Sequence, residues 1–134
     1  MIEYLEKNRI KFVYTPLIIY WLILLIATSI PGNDMPDIHM NDKFEHFLGY
    51  GLLTILINFS LLVQSKNKLL KTKAYLASII IVSIYGALDE LHQIFVPGRD
   101  CDFYDWITDF SAACFGIVMV YSLVKFVRIK VRNS

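Results

Sequence analysis

The sequence predicts an all-α protein, a bundle of four transmembrane helices with its N- and C-termini in the cytoplasm. Four apolar stretches each approach the ~20 residues that a helix needs to cross a bilayer, at about 1.5 Å per residue. The 134-residue chain is 56% hydrophobic, with a mean hydropathy of +0.51, which is too apolar for a water-soluble fold. In addition, the charges of the successive connections alternate in sign.

The limits of the four helices follow from apolar runs and from helix-breaking residues. We place the helices at about 12–30, 43–63, 74–96 and 105–127. The first is too long for the apolar core of a signal peptide, so we expect it to be retained. Pro31 and Gly32 mark its exit, and Pro97 and Gly98 follow the third helix. Because helices and short connections use almost the whole chain, we expect a single domain over 1–134.

The distribution of lysine and arginine predicts the orientation. Basic residues fill the N-terminal segment, the middle connection and the C-terminal tail: Lys7, Arg9, Lys11, Lys66, Lys68, Lys71, Lys73, Lys125, Arg128, Lys130 and Arg132. The first and third connections are acidic: Asp34, Asp37, Asp42, Asp100, Asp102 and Asp105, against the cations Lys43 and Arg99. Short loops rich in lysine and arginine stay in the cytoplasm. We therefore expect the two acidic connections to face outside.

Several function classes are disfavoured at this point. The chain contains no Gly-rich phosphate loop, and its net charge of +1 gives no reason to expect a nucleic-acid partner. Cys101 and Cys114 are too far apart on a mostly helical chain for a disulfide, so we interpret them as structural thiols. The remaining chemistry lies at the acidic side of the membrane.

The start of the second helix carries a polar stripe. Lys43, His46 and Tyr50 recur at spacings of three and four residues and share one helix face. Asp42 lies one turn before His46, where it can cap the helix or pair with the imidazole. Capping alone does not explain a cation and an imidazole on the same face, so we regard the stripe as a candidate site.

The third and fourth helices add carboxylates. Asp89 and Gln93 share a face of the third helix, and Glu90 lies about 100° round from Asp89. Asp89 is about 22 Å along the helix axis, within the outer leaflet, where a charge needs a partner. We expect Lys43 or Arg99 to provide it.

Asp105 and Asp109 lie one turn apart on the fourth helix, above a face of small residues formed by Ala112, Ala113 and Gly116. Such a face lets helices approach closely. A capping role accounts for Asp105 near the helix start, whereas Asp109 lies a turn deeper.

Together these motifs resemble the VanZ-like family of bacterial membrane proteins over about residues 31–120. They are Asp42-Lys43-Phe44-Glu45-His46, Asp89-Glu90-Leu91-His92-Gln93, Pro97-Gly98-Arg99, Asp105 and Asp109. The resemblance implies a polar signature of Lys43, His46, Asp89, Glu90, Gln93, Arg99 and Asp105. Asp109 stands where that family usually has Asn, and Ala112 where it usually has Gly. The founding member is associated with resistance to teicoplanin, a glycopeptide that acts outside the cytoplasmic membrane.

The function we predict is binding of, or catalysis on, a lipid or lipid-linked cell-envelope molecule at the outer face of the bacterial cytoplasmic membrane. An enzyme of this kind would be a membrane-embedded hydrolase or transferase. Its catalytic candidates are His46, Asp89, Glu90 and Asp105. His46 would be the general base or nucleophile, oriented by Asp42 or Asp105. Asp89 or Glu90 would be the complementary acid. Its substrate-binding candidates are Lys43, Gln93, Arg99, Asp109, Tyr50 and Asp42. The alternative is a non-catalytic accessory protein whose charged network chiefly locks the helices together.

We expect no cofactor. A divalent cation among His46, Asp89, His92 and Asp105 is the weaker alternative, since imidazole and carboxylate suit zinc or manganese. The histidines form no compact ligand motif, and a bound cation would compete with Lys43 and Arg99. Membrane lipids, and a lipid-linked envelope precursor, are the partners that this interpretation predicts.

Overall fold

The computed structural model describes residues 2–34 and 42–132, which are helical with short connections and contain no β-strand. The elements are α1 (Ile2–Lys7), a π-helical turn (Ile10–Tyr14), α2 (Thr15–Ser29), a 3₁₀ turn (Gly32–Asp34), α3 (Asp42–Val63), α4 (Lys68–Thr72), α5 (Ala74–Gln93) and α6 (Phe103–Arg132). Four helical segments are long and apolar enough to cross a membrane: Ile10–Ser29, Asp42–Val63, Ala74–Gln93 and Phe103–Lys130. The predicted all-α class with four spans is confirmed. Asp37 lies outside the described residues.

The fourth helix was predicted to end at about residue 127, whereas α6 continues to Arg132. Two other helix limits differ from the prediction for local reasons. The predicted third helix reached residue 96, whereas α5 ends at Gln93. The next N–H groups, of Phe95 and Val96, each bond a carbonyl only three residues back, and Pro97 then has no N–H to continue the helix. At the start of α6, the Asp102 side chain accepts a hydrogen bond from the Tyr104 N–H at 2.8 Å. This cap allows α6 to begin at residue 103 rather than 105.

The core lies where α3 packs against α5 and α6. Its fully buried members are Tyr50, Leu53, Ile57, Val82, Ala112 and Ala113. A Cβ placed on Gly116 would lie 2.9 Å from the backbone oxygen of Gly51, so α3 and α6 are in close backbone contact there. The small-residue face predicted on the fourth helix therefore does pack against another helix.

The outer surface of the bundle is apolar. Large side chains such as Ile18 and Leu22 on α2, Ile84 on α5 and Phe115 on α6 are exposed. An apolar surface of this extent suits hydrocarbon and not water. In the part of the chain that the structure describes, the polar side chains of the spans instead concentrate inside the bundle and at its two ends.

We call the end where α2 and α5 finish and α3 and α6 start the acidic end. A backbone hydrogen bond joins the connection after α2 to the connection after α5: the Gly32 N–H donates to the Pro97 carbonyl at 3.0 Å. A Cβ on Gly32 would overlap the Gly98 carbonyl, and Gly98 itself has a φ of 73°, which favours glycine. The contact thus holds the first and third connections together close to Arg99. At the opposite, basic end, Lys71 pairs with Glu6 at 3.2 Å.

Candidate functional site at the acidic end

The bundle brings the predicted site residues to one end. Seven of them are buried: His46, Tyr50, Asp89, Glu90, Gln93, Asp105 and Asp109. They come from α3, α5 and α6, which are the three helices that form the core. Buried polar groups in an apolar bundle need partners. Their partners divide them into three groups.

The first group, which we call the Lys43 network, consists of Lys43, Asp102 and Asp105. The Lys43 ammonium lies 2.7 Å from Asp105 and 2.9 Å from Asp102, so one cation links α3 to the start of α6. Lys43 and Asp102 are about half exposed, whereas the Asp105 side chain is buried. The hydrogen bond from Lys43 lowers the pKa of the Asp102 carboxyl below its usual range.

The second group, the Asp89 network, consists of Thr28, Tyr50, Asp89 and Gln93. One Asp89 oxygen accepts from the Thr28 hydroxyl at 2.8 Å. The other accepts from the Tyr50 hydroxyl at 2.8 Å and from the Gln93 amide at 3.2 Å. The expected partner, Lys43 or Arg99, is not in this set. The expectation was wrong because Lys43 is held by α6, and uncharged donors from α2, α3 and α5 surround Asp89 instead.

The third group, the His46 centre, consists of His46, Glu90 and Asp109. His46 Nδ1 lies 3.0 Å from Asp109 Oδ1 in buried surroundings. Each of the three residues offers one atom that could ligate a metal, and these three atoms lie within 4.8 Å of one another. We expected Asp42 or Asp105 to orient His46. Asp109 holds that position because Lys43 binds Asp105 one turn above, while Asp42 is exposed.

Two carboxylate oxygens of the His46 centre lack partners among the described residues. Glu90 Oε2 accepts the Asp102 N–H at 2.9 Å, but Glu90 Oε1 is buried and makes no hydrogen bond. Asp109 Oδ2 is likewise buried and unpartnered. It lies against α5, where a Cβ on Gly86 would be only 2.8 Å away. The centre is therefore tightly enclosed by three helices yet incompletely hydrogen-bonded.

A polar cavity of about 160 Å³ adjoins the centre on one side. It is lined by Leu24, Ala27, Thr28, Asp42, Glu45, His46, Tyr50 and Arg99. Arg99 also lies 3.5 Å from the Ile30 carbonyl through Nε, which holds its side chain near the end of α2. The cavity thus combines a guanidinium and an imidazole, which can bind an anion, with the carboxylates of Asp42 and Glu45, which would repel one.

An apolar groove of about 420 Å³ lies on the other side, between α5 and α6. Its lining consists of Ala87, Glu90, Leu91, Cys101, Phe103 and Trp106. Leu91 and Phe103 are exposed on the outer surface, so the groove is open to the surroundings of the bundle. Glu90 belongs both to this groove and to the His46 centre, which connects the two.

Two groups among the described residues have the composition and spacing to hold a metal ion. One is Asp42, His46 and Asp105, and the other is the His46 centre. Asp89 and His92, which the sequence suggested as ligands, belong to neither group. Asp89 is occupied by its three hydrogen bonds, and the buried Nδ1 of His92 has no described partner.

Four contributors lie outside the predicted site residues, and Asp102, which contacts both Lys43 and Glu90, is one of them. The other three come from different helices. Thr28 binds Asp89, Glu45 lines the polar cavity, and Gly86 makes room for Asp109. The signal for Thr28 was present, because it is a polar residue at the end of an otherwise apolar span. Nothing comparable identifies Gly86, whose role depends on how α5 crosses α6.

Fold and site together define a small multi-pass membrane protein with a buried polar centre at one end of a helical bundle. The family model described as VanZ/LLP1 matches residues 12–125, and the chain belongs to that family. This confirms the resemblance seen in the sequence. No curated protein and no solved structure gives a significant match.

Proposed function

We propose that this protein binds the anionic headgroup of a lipid or lipid-linked cell-envelope molecule at the outer face of the bacterial cytoplasmic membrane. The observation that carries the proposal is the polar cavity, in which Arg99 and His46 face the same space. Arginine offers a planar fork that matches a phosphate or carboxylate. The Thr28 and Tyr50 hydroxyls line the cavity but donate to Asp89, so Arg99 is the group that would hold the anion. The cavity lies at the acidic end of the bundle, where the predicted orientation would bring it close to the headgroups of the outer leaflet.

The apolar groove supports an amphiphilic ligand rather than a free anion. Phe103, Trp106 and Leu91 line a surface suited to a hydrocarbon chain, and Glu90 joins this surface to the polar centre. A molecule with a charged head and an apolar chain would satisfy both sides. Membrane lipids and a lipid-linked envelope precursor have that chemistry, whereas water-soluble anions do not.

A titration with soluble short-chain lipids tests headgroup binding. The purified protein in neutral detergent is titrated with dioctanoyl phosphatidylglycerol and, separately, with dioctanoyl phosphatidylcholine, and thermal unfolding is recorded. We expect the anionic lipid to raise the unfolding temperature and the zwitterionic lipid to have little effect. Undecaprenyl phosphate in the same assay separates a lipid-linked carrier from an ordinary phospholipid.

The matched variants are Arg99→Gln and Arg128→Gln. Arg128 is exposed at the opposite end of the bundle, so it controls for the loss of one positive charge. Removing a charge-assisted hydrogen bond should weaken the phosphatidylglycerol affinity of Arg99→Gln about tenfold or more. Equal weakening in both variants would indicate a general electrostatic effect and contradict a site at Arg99.

Native Cys101 provides a direct test of the outer-face assignment. This thiol is exposed in the connection before α6. In a Cys114→Ser background, a membrane-impermeant maleimide should label Cys101 in intact cells. Labelling that requires permeabilised cells would put the acidic end in the cytoplasm and reverse the orientation.

Catalysis at the same site is the second candidate function, and the pairing of His46 with Asp109 favours it. A buried imidazole oriented by a carboxylate is a common arrangement for activating water or a hydroxyl group. The enzyme would be a hydrolase or transferase acting on the bound headgroup. Lipid profiles of a deletion strain and a His46→Gln strain test this: the same accumulating lipid in both supports an enzyme. No change in lipid content supports binding alone.

A link to glycopeptide resistance belongs to the same proposal. Teicoplanin acts outside the membrane, which is the compartment that we assign to the polar cavity. We expect deletion of the gene to increase teicoplanin susceptibility and wild-type complementation to restore resistance, whereas Arg99→Gln should not. Unchanged susceptibility after deletion would remove resistance from the function while leaving headgroup binding intact.

A further inference from the structure

The His46 centre contains three metal-ligating side chains on three different helices. His46 comes from α3, Glu90 from α5 and Asp109 from α6. Their exposed fractions are 8%, 4% and 0%, so the donor atoms within 4.8 Å of one another are withdrawn from solvent. Surface clusters of acidic residues are common without any ion, but buried clusters of this kind are costly. A bound cation would compensate for the two carboxylates, as protonation also would.

Two carboxylate oxygens of the centre are available to a ligand. Glu90 Oε1 and Asp109 Oδ2 are buried without a hydrogen bond in the part of the chain that the structure describes. Leaving a buried acceptor unsatisfied costs about 1–3 kcal/mol, and more for a charged group. The neighbouring Asp89 uses both of its oxygens, so burial at this depth does not itself force carboxylates to lack partners.

We propose that His46, Glu90 and Asp109 form a binding site for a divalent transition-metal cation. One neutral imidazole and two carboxylates balance a charge of two, which leaves the buried centre neutral. Imidazole with carboxylate suits zinc or manganese, whereas calcium and magnesium prefer oxygen ligands alone. Three protein ligands also leave a coordination position for water or for an oxygen of a bound headgroup.

The nearby cations do not occupy this centre. Lys43, the closest in sequence, is bound to Asp102 and Asp105 through its ammonium group. The same pairing argues against the other metal-type group, in which Asp105 is already neutralised and Asp42 is exposed. No compact sequence motif is needed, because each helix supplies a single ligand.

The metal site does not depend on the proposed headgroup binding, since metal content can be measured without any lipid. The two proposals meet in the role of His46. With a cation bound, the imidazole would be a ligand and unavailable as a base, and the cation itself would activate a bound water as the nucleophile. Metal content therefore also distinguishes between the two ways in which this centre could activate water.

The test uses manganese alone as the probe. Purified protein in detergent is stripped with a chelator, dialysed, and titrated with MnCl₂, and free Mn²⁺ is followed by its electron paramagnetic resonance signal. We expect about one Mn²⁺ to bind per chain and to raise the unfolding temperature. ZnCl₂ should displace it, in keeping with the stronger affinity of nitrogen and oxygen sites for zinc.

Conservative variants establish which side chains bind. His46→Gln, Glu90→Gln and Asp109→Asn should each weaken Mn²⁺ affinity about tenfold or more. His92→Gln is the control, because this histidine lies on the same end of α5 outside the centre. Loss of affinity in His92→Gln as large as in His46→Gln would overturn the proposal, as would unchanged affinity in all four variants.

A spectroscopic measurement on the wild type keeps the proposal testable if a variant fails to fold. Electron spin echo envelope modulation of the bound Mn²⁺ should show coupling to an imidazole nitrogen, and this coupling should survive in His92→Gln. Bound manganese without nitrogen coupling would mean an adventitious carboxylate-bound ion only. Absence of any bound manganese or zinc in the folded wild-type protein would contradict the site outright.

Discussion

Two neighbouring carboxylates on α5, Asp89 and Glu90, are almost equally buried but have different surroundings. Asp89 receives hydrogen bonds from Thr28, Tyr50 and Gln93, which tie α2, α3 and α5 together. Glu90 receives one, from the Asp102 N–H, and keeps one oxygen unpartnered. The Lys43 network and the His46 centre differ in a similar way. In the Lys43 network opposite charges are paired, whereas in the His46 centre two carboxylates lie near one imidazole.

The difference indicates that one part of the polar cluster is structural and that another part binds a ligand. Complete hydrogen bonding is what a structural network requires, since every unmade bond in a buried place costs free energy. Incomplete hydrogen bonding is tolerated where a ligand completes the set, and it typically marks functional sites. We therefore assign the Asp89 and Lys43 networks chiefly to holding the helices, and the His46 centre chiefly to binding. Variants in the structural networks and in the His46 centre should therefore behave differently.

The largest expected effect is on stability, in Asp89→Ala. The change leaves three buried donors without an acceptor, and each such loss costs about 1–3 kcal/mol. We expect the free energy of unfolding in detergent to fall by about 3 kcal/mol or more, measured by chemical or thermal denaturation. Asp100→Ala, an exposed carboxylate in the following loop, controls for the loss of charge. An Asp89→Ala protein as stable as the wild type would remove the structural role of this network.

A slightly smaller effect is expected where α5 meets α6. In Gly86→Ala the new methyl group would lie 2.8 Å from Asp109 Oδ2, which forces the helices apart and should cost about 1–3 kcal/mol. Gly49→Ala is the matched control, because its nearest neighbour is the flexible end of Leu24 at 3.2 Å. Adding Asp109→Ala to Gly86→Ala should recover stability. Failure of this double variant to recover would place the strain elsewhere.

Little or no loss of stability is expected in Glu90→Gln, in contrast with its neighbour. The glutamine keeps an oxygen for the Asp102 N–H and removes a buried charge. We expect the metal-free variant to unfold at the wild-type temperature or slightly above it. A loss of stability as large as that of Asp89→Ala would show that Glu90 also holds the helices together.

The smallest effect is expected in Asp102→Asn, and it should depend on pH. Lys43 lowers the pKa of Asp102 below the ordinary value of 3.8, so the ionised form is favoured in the folded state. The resulting stabilisation is complete above 3.8 and is lost as the pH falls through the lowered pKa. The difference in unfolding temperature between wild type and Asp102→Asn should therefore be small at neutral pH and vanish in acid. A difference that grows in acid would contradict the pairing with Lys43.

The sequence predicted the fold class and the end of the bundle where polar residues gather, because both depend on local patterns. Apolar length gives the spans, and helical spacing places Lys43, His46 and Tyr50 on one face. Pro97 was correctly recognised as a helix breaker. The three-residue error in the end of α5 arose because the turn before this proline is already too tight to count as α-helix.

The sequence did not predict which acid meets which base, because this depends on how the helices are set against one another. His46 pairs with Asp109 and not with Asp42 or Asp105, since a shift of one turn on α6 decides the partner. Thr28 reaches Asp89 from a helix distant in sequence. The different hydrogen bonding of the adjacent Asp89 and Glu90 likewise depends on the packing of the helices: Asp89 contacts Tyr50 on α3, and Glu90 contacts Asp102 just before α6.

The decisive test of these two roles is the unfolding temperature of Asp89→Asn and of His46→Gln, each measured with increasing dioctanoyl phosphatidylglycerol. Asp89→Asn sets an amide against the Tyr50 and Gln93 donors while preserving the volume of the side chain. We predict a lower unfolding temperature for this variant but a wild-type response to the lipid. For His46→Gln we predict near wild-type stability and a lost or strongly reduced response. Stability and lipid response that decline together in both variants would contradict the separation of a structural network from a binding centre.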